Sequence, residues 1–228
     1  VKEQLEAIGI DVFLVDGAID RRSLSAPMVT ETTVLAVGAE LAWDRQLLLE
    51  RLELQYRLLT LPVFEQEDFT RYLRMAPDDF KAVLLTADGL KQLISQSDFL
   101  QNDEVLRQSM NAATEAIYVR GMLTDELVAK ILAAAGAAES LTIVALNPTT
   151  VFLSKRGFQR LAAHGIALRV LDPIHISAVT VNPFSSSYGY ADPIRLLKDV
   201  GQMVYPVPCY DLALGIRYFP KEDVDAIS

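Results

Sequence analysis

One cysteine, two histidines and one tryptophan are all that the 228 residues carry of those types. A lone Cys209 excludes an internal disulfide, and with only His164 and His175 beside it the chain cannot assemble a Cys/His zinc site. Long hydrophobic runs are missing too. None reaches the roughly 18 residues needed to span a bilayer, and the start lacks the basic-then-apolar order of a secretory signal. Positive charge is in deficit: 21 Lys and Arg against 30 Asp and Glu leave a formal net charge of −9. That balance opposes nucleic acid as a partner, whose phosphates require a basic surface, and an anionic membrane equally. A reducing, cytoplasmic setting fits this composition. The glycine-rich signatures of catalysis and nucleotide binding are absent as well. There is no Gly-x-x-x-x-Gly-Lys-Ser/Thr loop, no Gly-x-Gly-x-x-Gly after a strand and no Gly-x-Ser-x-Gly elbow. The chain as given is therefore a poor candidate for an ATPase by itself.

What is present is a well-built globular composition, 51% hydrophobic and 22% charged, with length enough to bury a sizeable core. Strand-like runs occur at Thr32–Ala39, Ala82–Thr86, Glu115–Gly121, Leu141–Leu146, Ile166–Leu171, His175–Asn182 and Val207–Leu212. Between them lie helical patterns: a long amphipathic one over Glu40–Thr60, then Asp88–Ser97, Gln101–Ala113, Thr124–Ala135 with Thr124 as N-cap, Lys155–His164 and Ile194–Met203. The alternation predicts an α/β fold, mostly parallel, with helices on both faces of Rossmann-like or P-loop-like layers. The acidic, irregular composition of Val63–Pro77 reads as a linker. This predicts a lobe over residues 1–62 that is the remainder of a nucleotide-binding type, a bridging segment over 63–80 and a carboxyl-terminal α/β lobe over 81–228.

The stretch Asp11–Pro27, DVFLVDGAIDRRSLSAP, stands out. Val12–Val15 reads as a buried parallel strand, because such strands are covered on both faces and show no polar alternation. Asp16-Gly17 would stand at its carboxyl end, where open α/β sheets gather ligands. In nucleoside triphosphatases an aspartate so placed holds magnesium, and Asp20, Arg21 and Ser23 could bind an anion or a metal–anion pair. The plainer reading of the same residues is a turn followed by an exposed charged loop. The opening at Val1, with Lys2–Ile8 reading as the last turns of a helix stopped by Gly9, leads to the expectation of a chain cut from something longer.

Three further strand ends carry polar punctuation: Asn147 and Thr149 after LTIVAL, Asp172 after IALRVL, and Asn182 through Ser187, Tyr188 and Tyr190 after HISAVTV. As ends of parallel neighbours these loops would share one edge, the usual place for binding sites. The last could close over a small polar ligand or a partner loop; the alternative is turn chemistry and packing tyrosines. Trp43 reads as a core anchor and His175 as a hydrogen-bonded core histidine. His164 reads as a helix-end residue facing the dipole, and Cys209 as a buried small residue.

The runs DGAIDRRSLSAP with VLAVGAEL, YVRGMLTDELVAKIL, and VTVNPFSSSYGY leading to VPCYDLALG resemble the carboxyl-terminal part of a reactivase subunit family. That family is associated with adenosylcobalamin-dependent lysine 5,6-aminomutase. The likeness spans nearly the whole chain. It implies a phosphate loop of the Ala-Gly-Lys-Thr kind before Val1 and makes Asp16 the end of a Walker-B-like strand. It also implies ATP and magnesium as cofactors of a longer protein only, and a mutase and a partner ATPase as partners. The implied role is helping the mutase shed damaged cobalamin, in a chain itself not catalytic. The alternative is a stand-alone α/β enzyme or binding domain for a small polar or phosphorylated ligand, using Asp16, Asp20 and Arg21.

Overall fold

A computed structural model describes residues 30–101, 103–136, 140–219 and 223–226, together with 9, 11, 12, 14 and 15. Strand β1 (Thr33–Gly38) leads into helix α1 (Arg45–Leu59), and α2 (Glu67–Met75) precedes β2 (Phe80–Thr86) and β3 (Lys91–Ser95). Helices α3 (Gln96–Gln101) and α4 (Asp103–Ser109) follow. Then come β4 (Thr114–Val119), the short β5 (Leu123–Thr124), α5 (Asp125–Ala135), β6 (Thr142–Ala145) and a 3-10 turn at Pro148–Thr150. Next are β7 (Val151–Phe152), α6 (Lys155–Ala163), β8 (Ala167–Val170) and β9 (Ile176–Asn182). The chain continues with β10 (Phe184–Ser185), β11 (Gly189–Tyr190), α7 (Pro193–Val204), β12 (Cys209–Asp211), β13 (Ile216–Phe219) and β14 (Asp223–Ala226).

These elements form two five-stranded sheets, ordered β1-β9-β12-β13-β14 and β3-β2-β4-β6-β8. The fold is α/β, but neither sheet is mostly parallel. In the first, β1, β9 and β12 run parallel while β13 and β14 return antiparallel. In the second, β4, β6 and β8 are parallel and β2 and β3 antiparallel. Two of the reversals, β2 to β3 and β12 to β13, come where a short turn takes the place of a crossover helix. Asp88-Gly89 is such a turn, with Gly89 at φ 80°, so residues 91–95 form a strand where the sequence suggested a helix over Asp88–Ser97. The sheets also do not divide at 63–80. Strands after residue 176 return to pair with β1, and the second sheet is formed wholly between residues 80 and 170. Within the supposed linker, α2 places Phe69 and Leu73 four residues apart on one buried stripe.

Each face of the second sheet has its own core. Ala82, Leu84, Ile117, Val119, Ile143 and Ala145 pack with α3 to α6, whereas Val83, Leu85, Ala116, Tyr118 and Val144 pack with α2. A register shift between Phe80 and Ala82 puts Phe80 on the α2 side despite its parity. In the first sheet Val37, Val179, Val181, Cys209 and Tyr218 are covered by α1 and α7. Helix α1 serves both sheets: Leu48 and Leu52 enter the first core and Leu58 the second. Among the described residues no helix is long and apolar enough to cross a membrane.

Candidate functional site

The carboxyl ends of the three parallel strands of the first sheet bring three loops to one edge: residues 39–44 after β1, 183–192 after β9 and 212–215 after β12. The first two loops feed helices. Asp44 caps α1 by accepting from Leu47 N at 2.8 Å, and Asp192 caps α7 by accepting from Arg195 N at 3.0 Å. Each aspartate satisfies a backbone donor that the first helical turn leaves unpaired.

The middle loop is a small hairpin, β10 against β11, with Phe184 opposite Tyr190 and Ser185 opposite Gly189. It leaves β9 through an Asx turn, Phe184 N donating to Asn182 Oδ1 at 3.0 Å. Gly189, at φ 83°, supplies the left-handed residue the turn requires. Glu40 of the neighbouring loop then holds the hairpin. Its two carboxylate oxygens accept from Ser186 N and Ser186 Oγ, each at 2.8 Å. The Ser186 hydroxyl, then its amide, then the Ser185 hydroxyl stabilise the carboxylate and hold the Glu40 pKa below its usual value.

Because residues facing each other across a hairpin alternate between its two faces, the sides of this one differ. Ser185 is buried, while the Phe184 and Tyr190 rings lie on the opposite face with centroids 5.1 Å apart. Tyr190 is 76% exposed and Tyr188 66% exposed. Tyr188, at the turn, stacks on Trp43 at 5.1 Å with an interplanar angle of 22°. Trp43 is thus half exposed and not the core anchor its type suggested.

Asp211 closes the third loop. It is fully buried, Oδ1 accepts from Ala213 N at 3.0 Å and Leu214 N at 3.1 Å, and Oδ2 has no hydrogen-bond partner among the described residues. Two residues earlier, Cys209 is buried and its thiol is pushed up to about 12, chiefly by desolvation, so it is protonated and inert at neutral pH.

The structure separates the residues expected on a shared edge. Asn182, Ser187, Tyr188 and Tyr190 stand on the first sheet. Asn147, Thr149 and Asp172 stand on the second, because β9 pairs with β1 and β12 and not with β8. Asn147 and Thr149 are buried in a local turn, Asn147 Oδ1 accepting from Thr149 N at 3.0 Å and Thr149 Oγ1 at 2.6 Å. Asp172 pairs with Arg74 of α2 at 3.0 Å. His175 is exposed, and its carbonyl accepts from Thr33 N and from Thr32 Oγ1; its ring is not the core ring expected. His164 does end α6, its Nδ1 2.8 Å from the Arg160 carbonyl.

Asp16, Gly17, Asp20, Arg21 and Ser23 lie outside the described residues. Val12, Leu14 and Val15 are described, and they are exposed and outside any strand, which overturns the buried strand read there. Among the described residues no group of three or more His, Cys, Asp or Glu side chains stands close enough to hold a metal. Sequence reasoning missed Glu40, Trp43 and Asp211. Glu40 and Asp211 had the signal applied to Asp16, a carboxylate where an apolar strand ends. No family model matches the sequence, and no curated protein matches it.

Proposed function

We propose that this chain is the non-catalytic body of a reactivase-type assistant to an adenosylcobalamin-dependent aminomutase, and that the carboxyl edge of its first sheet meets the partner protein. The observation that carries the partner-facing reading is the hairpin. A carboxylate and two serines fix its inner side, while its outer side presents aromatic rings to solvent. Exposed aromatics on a rigid support suit recognition of another protein, since they bring large contact area at small entropic cost. The resemblance of VTVNPFSSSYGY to the reactivase family supports the choice of partner. The parallel run β1-β9-β12, covered by α1 and α7 with α7 crossing from β9 to β12, is in keeping with a Rossmann-like or P-loop-like layer.

The chain's own part in the mechanism is differential binding. It favours one conformation of the mutase over another, and only that difference in affinity can loosen a damaged cofactor. ATP and magnesium belong to the longer protein in this reading, and no step here runs through them.

The test is a mutase inactivated by a damaged cobalamin, incubated with the product of the whole reading frame, ATP–magnesium and intact adenosylcobalamin. Regained activity that falls when Phe184 and Tyr190 are both changed to Ala supports the proposal. Activity regained equally well without the protein overturns it. Metal-dependent turnover by the chain alone, lost in Asp16→Ala, would favour the stand-alone enzyme instead.

A further inference from the structure

The loops at the carboxyl edge of the first sheet, residues 39–44, 182–192 and 211–215, contain Glu40, Asp44, Asp192 and Asp211 and no Lys, Arg or His. Each of these four carboxylates also accepts a backbone N–H from a loop or a first helical turn, so the edge is rigid as well as acidic. The helix termini offset part of the charge of Asp44 and Asp192, serine donors stabilise Glu40, and Asp211 is buried beneath the edge. Of the arginines on the adjoining helices, Arg45 is paired with Asp199, Arg51 keeps its charge while donating to the Leu41 carbonyl, and Arg195 is exposed in the first turn of α7 beside Asp192, so the loops' own side chains are acidic and the cations stand behind them on the helices. The side chains that stand out from this acidic frame are aromatic and aliphatic. Trp43, Phe184, Tyr188 and Tyr190 are joined on the same edge by Leu212, 68% exposed, and Leu214, 53% exposed.

Apolar surface gathered in one place marks an interaction site, and its charge selects among the possible occupants. The faces of aromatic rings attract cations, and a negative rim raises the local concentration of positive groups and repels acidic ones. A second copy of this chain, at net charge −9, would meet repulsion on the same edge. We propose that this edge docks a protein segment carrying Lys or Arg among apolar side chains, with the aliphatic and aromatic groups covered and the cations placed over the rings and beside Glu40. The proposal rests on the partner-surface reading above and states the partner's chemistry.

Two synthetic helical peptides with identical leucine positions test it, one bearing Arg and the other Glu at the remaining positions. They are titrated into the whole chain with fluorescence of Trp43, its sole tryptophan, as the signal. The Arg peptide is expected to bind at least about tenfold tighter than the Glu peptide, and its affinity to fall as salt rises from about 0.05 M to about 0.5 M. The Phe184→Ala/Tyr190→Ala variant, and separately Leu212→Ala/Leu214→Ala, should each weaken the Arg peptide about tenfold with an unchanged melting midpoint. Equal binding of both peptides, or binding that both variants leave intact, overturns the proposal. So does concentration-dependent dimerisation abolished by the same variants, which would make the edge a self-association face. Failure here with successful mutase reactivation sinks only the partner chemistry. Success here with no reactivation sinks only the aminomutase reading.

Discussion

Glu40 and Gly201 show how single residues set the geometry of this molecule. The carboxylate of Glu40 ties the loop after β1 to the hairpin after β9, and its folded pKa lies below its ordinary value. A depressed carboxylate pKa means that the stabilisation is present above the unfolded pKa and lost as pH falls through the folded one. Acidification below about pH 4.5 should therefore release the hairpin, seen as a change in Trp43 fluorescence as Tyr188 leaves its stack. The transition should be absent in Glu40→Gln; if it persists there, another group controls the hairpin. Gly201 lies in α7 where an added Cβ would stand 2.2 Å from Cδ1 of Tyr218. In an ordinary helix interior, replacing Gly by Ala gains about 1 kcal/mol. Here the buried ring leaves no room, and Gly201→Ala should instead cost about 1–3 kcal/mol in urea denaturation. A gain would show that the ring swings aside freely.

Among the elements, α7 has the clearest local control. Pro193 stands in its first turn, Asp192 caps it, and Leu196, Leu197, Val200 and Val204 form its buried stripe. Asp192→Ala should lower stability by about 0.5–2 kcal/mol, with Asp192→Asn recovering most of the loss, both measured by denaturant unfolding. Equal loss in the two variants would mean that the charge matters and not the capping bond. The strand elements are less self-contained. β2 was legible as an apolar run, but its partner β3 was not: KQLIS carries no clear alternation, and the Asp-Gly turn before it is what makes the segment a strand. Helix α2 was hidden for the opposite reason, since its acidic first turn resembles a linker until Phe69 and Leu73 are seen on one stripe. Thr124, by contrast, was readable as an N-cap, and it does accept from Leu127 N.

For the whole molecule, α1 is the joint. Leu52 belongs to the core of the first sheet and Leu58 to that of the second, and Tyr56 donates to the Val204 carbonyl of α7 at 2.9 Å. Beside α1 lies a groove of about 170 Å³ against α6, where Arg57 stands over Phe158. A helix shared by two cores should couple them. Leu52→Ala and Leu58→Ala should each cost about 2–5 kcal/mol, and each should lower a single melting transition seen equally by Trp43 fluorescence and by far-ultraviolet circular dichroism. Two separated transitions in either variant would show that the sheets unfold independently.

Legible in the amino-acid order alone were the α/β class, most strand and helix cores, the Thr124 cap and the burial of Cys209. All of these follow from periodicity and residue chemistry acting over a few neighbours. That order also marked Asn182, Ser187, Tyr188 and Tyr190 as a loop of interest. Only the tertiary structure decided which strands are neighbours, and that choice rests on long-range pairing that no local pattern encodes. Pairing β9 with β1 and β12 placed Glu40, Trp43 and Asp211 on the edge that bears the hairpin, and removed Asn147, Thr149 and Asp172 to another sheet. Trp43 shows the difference most plainly. Its type suggested burial, but its place beyond a strand end, beside a hairpin from a distant part of the chain, left it half exposed and stacked on Tyr188.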